Sequence, residues 1–445
     1  MDKASETNGK KPYYDAYVRI LKKELVPALG CTEPIAIAYA GATARAELGK
    51  MPERCTVWCS GNIVKNVKGV TVPNSGGMKG IDAAAVLGIV GGDKDLKLAV
   101  LESVKPEDIE ETKRLLQTDF CESRLKEGVA NLYILLEVTA GSDTVSVEIK
   151  DYHSNITRIT RNGETVFEGG VQCDEEDVTQ QAEDEDKKLL NVRSILEFAE
   201  TCDLADVRDV LENQLTCNRA ISQEGLENPY GAQVGRTLLG TRSNERIATK
   251  LKAKAYAAAG SDARMSGCPL PVVINSGSGN QGITATLPLI AYAEDYGVSH
   301  EKLLRALIVS NLVAIHQKKY IGSLSAYCGA VSAACGAGAA ITWMLGSSGY
   351  AGGTYEEVSQ TITNTIATIG GMVCDGAKPS CAAKISVAVE AALTGYQMST
   401  RRMTFGPGEG LVKDDVEETI ESIGRMGKDG MKATDIEILN IMLEK

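Results

Sequence analysis

Apolar positions recur with two different periods along this chain, and the change of period divides it. Between positions 13 and 29, Tyr17, Ile20, Leu21, Leu25 and Leu29 share the spacing of one helical face. A break at Gly30-Cys31-Thr32-Glu33-Pro34 follows, and then IAIAYAGATARAEL, a helix of small residues. Pro34 suits the first turn of that helix, where a missing N–H costs nothing. Segments 55–59 and 63–73 read as strands, NSGGMKG at 74–80 as a glycine loop, and IDAAAVLGIVGG as an apolar helix. From Leu132 to Glu168 apolar and polar residues alternate between turn signals, which predicts an antiparallel meander. Beyond an acidic run at 174–188 the helical period returns. Helices are expected at about 189–214, 232–259, 283–296, 300–316, 328–346, 355–370, 380–395 and 414–427. The expected fold class is therefore α+β. An N-terminal α/β domain with an antiparallel sheet covers residues 12–180, and a largely helical C-terminal domain covers 181–445.

Composition narrows the classes. The chain has 445 residues, 43% of them hydrophobic, with only 4 Phe and 2 Trp, so its core is built from Ala, Val, Ile and Leu. Its 45 Gly and many Ala let helices approach closely, which also suits packing between subunits of a homo-oligomer. A net charge of −12 is opposite to a nucleic-acid footprint. Tyr320 to Tyr355 carries no charged residue, but Gly, Ala and Ser dominate it, so a helix buried in protein is expected rather than a membrane span. The N-terminal residues contain no apolar signal core, so a cytoplasmic chain is expected, in a compartment where thiols stay reduced.

The chemistry centres on 12 Cys beside 3 His. Cys55 and Cys59 face one side of an expected strand and read as core, with a metal pair as the alternative. Cys121, Cys173, Cys202, Cys217 and Cys268 are isolated and read as buried thiols. Cys31 precedes a helix N-terminus, a position that lowers a thiol pKa. Cys328 and Cys335 lie in AYCGAVSAACGAG, and Cys374 and Cys381 in GGMVCDGAKPSCAAK, where glycines and Pro379 let the backbone fold around something. C-x6-C is not a zinc-finger spacing. Packing cysteines, a zinc site, and three thiolates from two loops holding an iron–sulfur cluster with one open iron all remain open on spacing alone. Residues 70–89 and 272–290 echo each other as strand, Asn-Ser-Gly loop and helix. Such loops offer free N–H groups to a carboxylate or phosphate.

Three motifs, GCTEPIAIAYA, NSGSGNQGI and MVCDGAKPSC, resemble the L-cysteine desulfidase family, which is similar in turn to the iron–sulfur L-serine dehydratases. The resemblance runs from about Tyr14 to Leu393 and beyond. It implies an enzyme with a 4Fe-4S cluster that eliminates hydrogen sulfide from L-cysteine, giving pyruvate and ammonia without pyridoxal phosphate. On that resemblance Cys374 and Cys381 become cluster ligands, with Cys328 favoured over Cys335 as the third. Cys31 becomes the catalytic base, and Asn275, Ser276, Gly277 and Gly279 line the substrate carboxylate. Lys378 and Lys319 are further candidates. The partner is a small amino acid, with no nucleic acid and no membrane. The site is expected between the two domains, because Cys31 and the cluster thiols must meet. Three alternatives stand beside this reading: a serine dehydratase that expels hydroxide, a cluster-free protein binding a small anionic amino acid, and a zinc or redox-sensing protein.

Overall fold

Two hydrophobic cores organise the chain, and the polypeptide crosses between them more than once. The computed structural model describes residues 11–169, 185–240, 247–322, 325–347 and 352–444. Cys173, positions 174–184 of the acidic run, positions 241–246 of the expected 232–259 helix, and Ser323 and Leu324 of the glycine-rich segment before Cys328 lie outside these residues.

The first core is built on a six-stranded sheet of order β3-β2-β4-β5-β6-β7. Its strands are β2 (Arg54–Cys59), β3 (Cys121–Leu125), β4 (Tyr133–Ala140), β5 (Asp143–Lys150), β6 (Ile156–Arg161) and β7 (Glu164–Glu168). Strands β4 to β7 form the expected antiparallel meander, whereas β2 and β3 run parallel, so the sheet is mixed. Register follows the alternation. Ile134, Leu136 and Val138 stand opposite Ile149, Val147 and Val145, and all six are buried on one face. A slip of one residue would turn each of them to the other face. Strand β3 escaped the sequence reading because CESRL is a largely exposed edge strand with no apolar alternation.

Helices α2 (Thr32–Leu48) and α4 (Ile81–Gly91) pack together over the buried face of the sheet. Their small residues bring the backbones into contact: a Cβ on Gly88 would lie 2.2 Å from the Ala38 carbonyl oxygen. Residues 63–73, expected as a strand, are instead a short helix, α3 (Gly61–Val67), followed by a loop in which Thr71 makes one isolated bridge to Lys79. Their β-branched content pointed to a strand. Yet Ile63, Val64 and Val67 also sit at helical spacing, and all three are buried. Packing settles an ambiguity that short apolar runs always carry. Helix α5 (Pro106–Leu115) completes this body.

The second core is helical, and the first described helix belongs to it. Helix α1 (Tyr14–Glu24) sets Tyr14 and Tyr17 edge-on against Phe198, with ring centroids 5.2 and 5.4 Å apart. It ends short of the expected Leu29, where Pro27 opens the extended segment β1 (Pro27–Leu29), which pairs antiparallel with β8 (Pro271–Val273). Next come α6 (Val192–Thr201), α7 (Arg208–Glu227), α8 (Val234–Leu239) and α9 (Thr249–Met265). The series continues with α10 (Gly279–Tyr296), α11 (His300–Ile321), α12 (Gly329–Leu345), α13 (Tyr355–Ile369), α14 (Cys381–Ser399) and α15 (Val416–Arg425). The expected helix 189–214 is interrupted because the Asp203 side chain accepts the Ala205 N–H at 2.9 Å, a local bond that competes with helix continuation. Helix α12, the heart of the uncharged stretch, is buried from Ala330 to Leu345, as expected. No described helix is long and apolar enough to cross a membrane. A last helix, α16 (Lys432–Met442), returns to the first body. There Leu439 packs on Gly61 of α3, and buried Lys65 pairs with Asp435.

Candidate active site

A cavity of about 1220 Å³ lies where the two cores meet. Cys31, Glu33, Asn66 and His153 reach it from the sheet side, while Arg264, Ser276, Gly277, Gln281, Lys318 and the thiols of Cys328, Cys374 and Cys381 reach it from the helical side.

The three thiols are placed by main-chain bonds rather than by chance packing. Tyr327 and Val373 form an isolated antiparallel bridge; the Cys328 N–H donates to the Met372 carbonyl at 2.9 Å and the Cys374 N–H to the Ala326 carbonyl at 2.6 Å. This short ladder sets Cys328 and Cys374 side by side. Cys328 caps α12, and Cys381 opens α14. The intervening loop folds around Asp375, whose carboxylate pairs with Lys378 at 2.5 Å and also with Lys384. Lys378 further donates to the carbonyls of Asp375 and Gly376 at 3.2 and 3.1 Å, so it holds the loop together. Cys335 points the other way. It is wholly buried inside α12, with its Sγ 3.9 Å from the Ile362 carbonyl, and it does not line the cavity.

Burial, and then the neighbouring Cys374, pushes the Cys328 thiol up to about 12; burial likewise raises Cys381. Fully buried Lys318 faces these thiols; burial pushes it down to about 8, while Cys374 and Cys328 pull it back towards the charged form. Among the described residues, no three His, Cys, Asp or Glu side chains stand close enough to chelate a single metal ion. Three thiols spread around one cavity suit a polynuclear cluster, which spans more space than one ion, and soft thiolates without His favour iron–sulfur chemistry. The donor set therefore fits such a cluster.

Across the cavity, Cys31 is the N-cap residue of α2 and donates its thiol proton to Glu33 Oε2 at 2.8 Å. Asn66 donates to the other Glu33 oxygen at 3.2 Å. Position at a helix N-terminus argues for a lowered thiol pKa, but here burial and the Glu33 carboxylate hold Cys31 well above its usual value, with Arg264 acting in the opposite sense. Burial works to raise Glu33, yet His153, the Cys31 thiol and Arg264 together hold it below the usual carboxylate value. Glu33 is thus the ionised partner and Cys31 the protonated one.

The NSGSGNQG loop forms the third wall. Ser276 and Gly277 both take positive φ, 49° and 74°, in the turn that leads into α10. Both line the cavity. Asn275 does not: it is buried behind the loop, donating to Asn311 Oδ1 at 2.9 Å. Gly279 also stands behind, where a Cβ would lie 2.3 Å from Arg264 Nε. Its role is to make room for that guanidinium, which donates to the Gly30 carbonyl at 2.8 Å and keeps its buried Nε unpartnered. Lys319 lies on the rim and donates to the Leu190 carbonyl at 2.8 Å.

Several side chains at the cavity were missed by sequence reasoning. Glu33, Asn280 and Gln281 sat inside motifs already singled out, and the oxygens Asn280 Oδ1 and Gln281 Oε1 are buried without partners. Arg264 and Lys318 gave a weaker signal, a charge within an otherwise small or apolar helix. His153 could have been found only by asking where each of the 3 His goes.

The chain is similar to known proteins over most of its length. A family model described as serine dehydratase alpha chain matches residues 95–440. A protein of Lachnoclostridium phytofermentans named UPF0597 protein is 50% identical over 431 residues, covering 97% of this chain and 100% of that one. Another of the same name from Finegoldia magna is 49% identical, covering 96% and 99% of the two chains. A third, from Treponema denticola, is 43% identical over 98% of this chain and 99% of its own. Their names state no substrate. Matched over most of its length, and with a thiol-lined cavity between its two cores, the chain belongs to the serine dehydratase alpha chain family of lyases.

Proposed function

We propose that this chain is a 4Fe-4S lyase that eliminates hydrogen sulfide from L-cysteine, giving pyruvate and ammonia in the reducing cytoplasm. One observation carries the reading: Cys328, Cys374 and Cys381 line the same cavity as Cys31, while Cys335 turns away from it. The iron–sulfur serine dehydratases of the family support the choice of cofactor. Cys328, Cys374 and Cys381 would hold the cluster, which supplies Lewis acidity towards the leaving sulfur when bound.

The protein's own residues supply the rest. Arg264 and the N–H groups at Ser276 and Gly277 bind the substrate carboxylate. The buried Asn280 and Gln281 oxygens accept from the α-ammonium. Glu33, ionised and 2.8 Å from the Cys31 thiol, takes its proton, and the thiolate so formed removes the proton from Cα. The 2-aminoacrylate released then tautomerises and hydrolyses in water.

Anaerobically purified protein is expected to be brown and to release sulfide from L-cysteine. Cys31→Ala should keep the colour and lose turnover, whereas Cys374→Ala should lose the colour. An intact spectrum in Cys374→Ala would remove that ligand, and full activity in Cys31→Ala would remove that base. The family's description favours one second reading, L-serine as substrate with hydroxide as the leaving group. Pyruvate release from L-serine, measured beside sulfide release from L-cysteine, decides between them.

A further inference from the structure

Cys31 and Glu33 leave one step of this chemistry without a group to perform it. After Cys31 has taken the proton from Cα, Glu33 still holds the proton it took from Cys31; Cys31 is buried and Glu33 only partly exposed. Unless that proton leaves, the pair is not reset for another turnover. His153 occupies the place where it could leave. It sits on the turn between β5 and β6, which lines the cavity; its neighbours Asp151, Tyr152 and Ser154 are exposed, whereas His153 is partly buried. Its ring Nε2 is sealed from solvent and has no hydrogen-bond partner. A buried imidazole nitrogen without a partner is costly and calls for a functional account. Glu33 is the charged group whose field reaches the ring, and His153 acts on Glu33 in return. Burial keeps the imidazole mostly neutral and Glu33 partly offsets this, so the ring can both take up a proton and give it away.

We propose that His153 is the proton relay of this site, carrying the proton from Glu33 to water at the cavity mouth. The inference rests on the lyase reading. In each turnover the Cα–H bond breaks and its electron pair becomes the Cα–Cβ π bond. The Cβ–S bond breaks, and its pair departs with hydrosulfide. Cys31 gives its proton to Glu33, the thiolate so formed takes the proton from Cα, and the proton on Glu33 passes through the imidazole to water. No electron is gained or lost by the protein, and the Cys31–Glu33 pair returns to its starting state. His153 touches no reacting carbon; it acts through Glu33.

The test compares His153→Gln and His153→Asn with the wild type as holoenzyme. Both variants keep a polar side chain in the pocket and should retain the cluster absorbance and melting temperature. The relay requires kcat to fall by ~10²–10⁴, the usual worth of a positioned acid–base group, with KM for L-cysteine nearly unchanged. It also requires added imidazole to restore part of the rate. Wild-type kcat in either variant, or a loss confined to KM, overturns it. So does a loss that imidazole does not rescue in protein that melts as the wild type. A second readout needs no turnover. In cluster-free protein, the His153 imidazole titration followed by NMR should move to lower pH in Glu33→Gln, and an unmoved midpoint overturns the coupling. The two levels of the argument fail differently: wild type that turns over neither L-cysteine nor L-serine removes the lyase reading, whereas active wild type with an equally active His153→Gln removes only the relay.

Discussion

Replacing Gly376 by Ala tests whether the loop between Cys374 and Cys381 holds its thiols in place. Gly376 has φ +93°, a backbone region L-residues avoid at about 1–2 kcal/mol. A Cβ there would also lie 2.1 Å from the Lys65 carbonyl oxygen, where ordinary contact begins at 3.4 Å. Because the obstacle is backbone, the loop itself must shift by over an ångström. Overlaps of this kind cost about 1–3 kcal/mol. The two terms give about 2–5 kcal/mol, and the displacement falls between two proposed cluster ligands. The assay is iron content after anaerobic reconstitution, with a thermal melt of the cluster-free protein alongside. Gly376→Ala should melt earlier and hold far less iron. Gly408→Ala is the control: φ is +85° and nothing lies within 4 Å, so it should lower stability by about 1 kcal/mol without changing iron content. Wild-type iron content in Gly376→Ala would refute the assignment of this loop as a cluster cradle.

Further expectations follow from single contacts. Arg264→Gln should raise KM for L-cysteine by about 10–100-fold with a smaller change in kcat, since a charged hydrogen bond contributes about 1.5–3 kcal/mol; an unchanged KM would exclude Arg264 from carboxylate binding. Cys335→Ala should keep the iron content and cost about 1 kcal/mol in a denaturant melt; loss of iron would reverse the choice between Cys328 and Cys335. Burial lifts Asp262 to about 6 from its usual 3.8, so its ionised form is a liability that grows as pH rises through that window. Asp262→Asn, which can still accept the Gly235 N–H, should therefore stabilise the protein by up to ~3 kcal/mol at pH 8 and by little below pH 4; equal stability of the two proteins at pH 8 would refute the shift. Lys65→Met should destabilise by about 3 kcal/mol, because it strands Asp435 beside the buried end of the pair; an unchanged melt would show that the pair does not hold α16 in place.

What could be read in advance depended on whether a property was local. The meander from Leu132 to Glu168 was legible because one face of it is buried, which forces an alternation with period two. Most of the C-terminal helices were legible for the matching reason. Residues 63–73 were not, since Ile63, Val64 and Val67 satisfy both periods, and the packing that decides comes from the far end of the chain. The stripe Tyr17, Leu21 and Leu25 announced a buried face on α1 but not that Phe198 would cover it. The site divides in the same way. Cys31, Ser276, Gly277 and the cavity thiols were visible through their glycine-rich motifs. Asn275 and Gly279 came from the same motif, yet they support the wall from behind, a distinction made only by the Asn311 and Arg264 side chains that reach the loop. Cys328 and Cys335 share one small-residue context, and the bridge of Tyr327 to Val373 tells them apart. The thiol of Cys31 shows the limit of a local rule: a helix N-terminus favours the thiolate, but burial beside a carboxylate is the larger effect.

The same division explains why the candidate site lies at a crossover. Carrying acid–base groups and a cluster into one cavity requires walls that come from separate cores, because each core buries its own apolar face and offers only its edge. The chain leaves the helical core at β1, turns at Gly30 with φ +58°, and enters the sheet core at α2, so Cys31 stands at the junction itself. Arg264 binds the Gly30 carbonyl from the end of α9, and β8 pairs with β1 just beyond. The guanidinium proposed to hold the substrate carboxylate therefore also fixes the residue before the proposed base. Coupling of this kind sets the distance between base and carboxylate through one side chain, which makes the geometry depend on docking of the two cores rather than on the stability of either. Loosening the junction, as by shortening Arg264 to Lys, should then separate turnover from stability: iron content and melting temperature persist while kcat/KM falls. A variant that loses all three together would show instead that Arg264 is a pillar of the helical core and that the junction is set elsewhere.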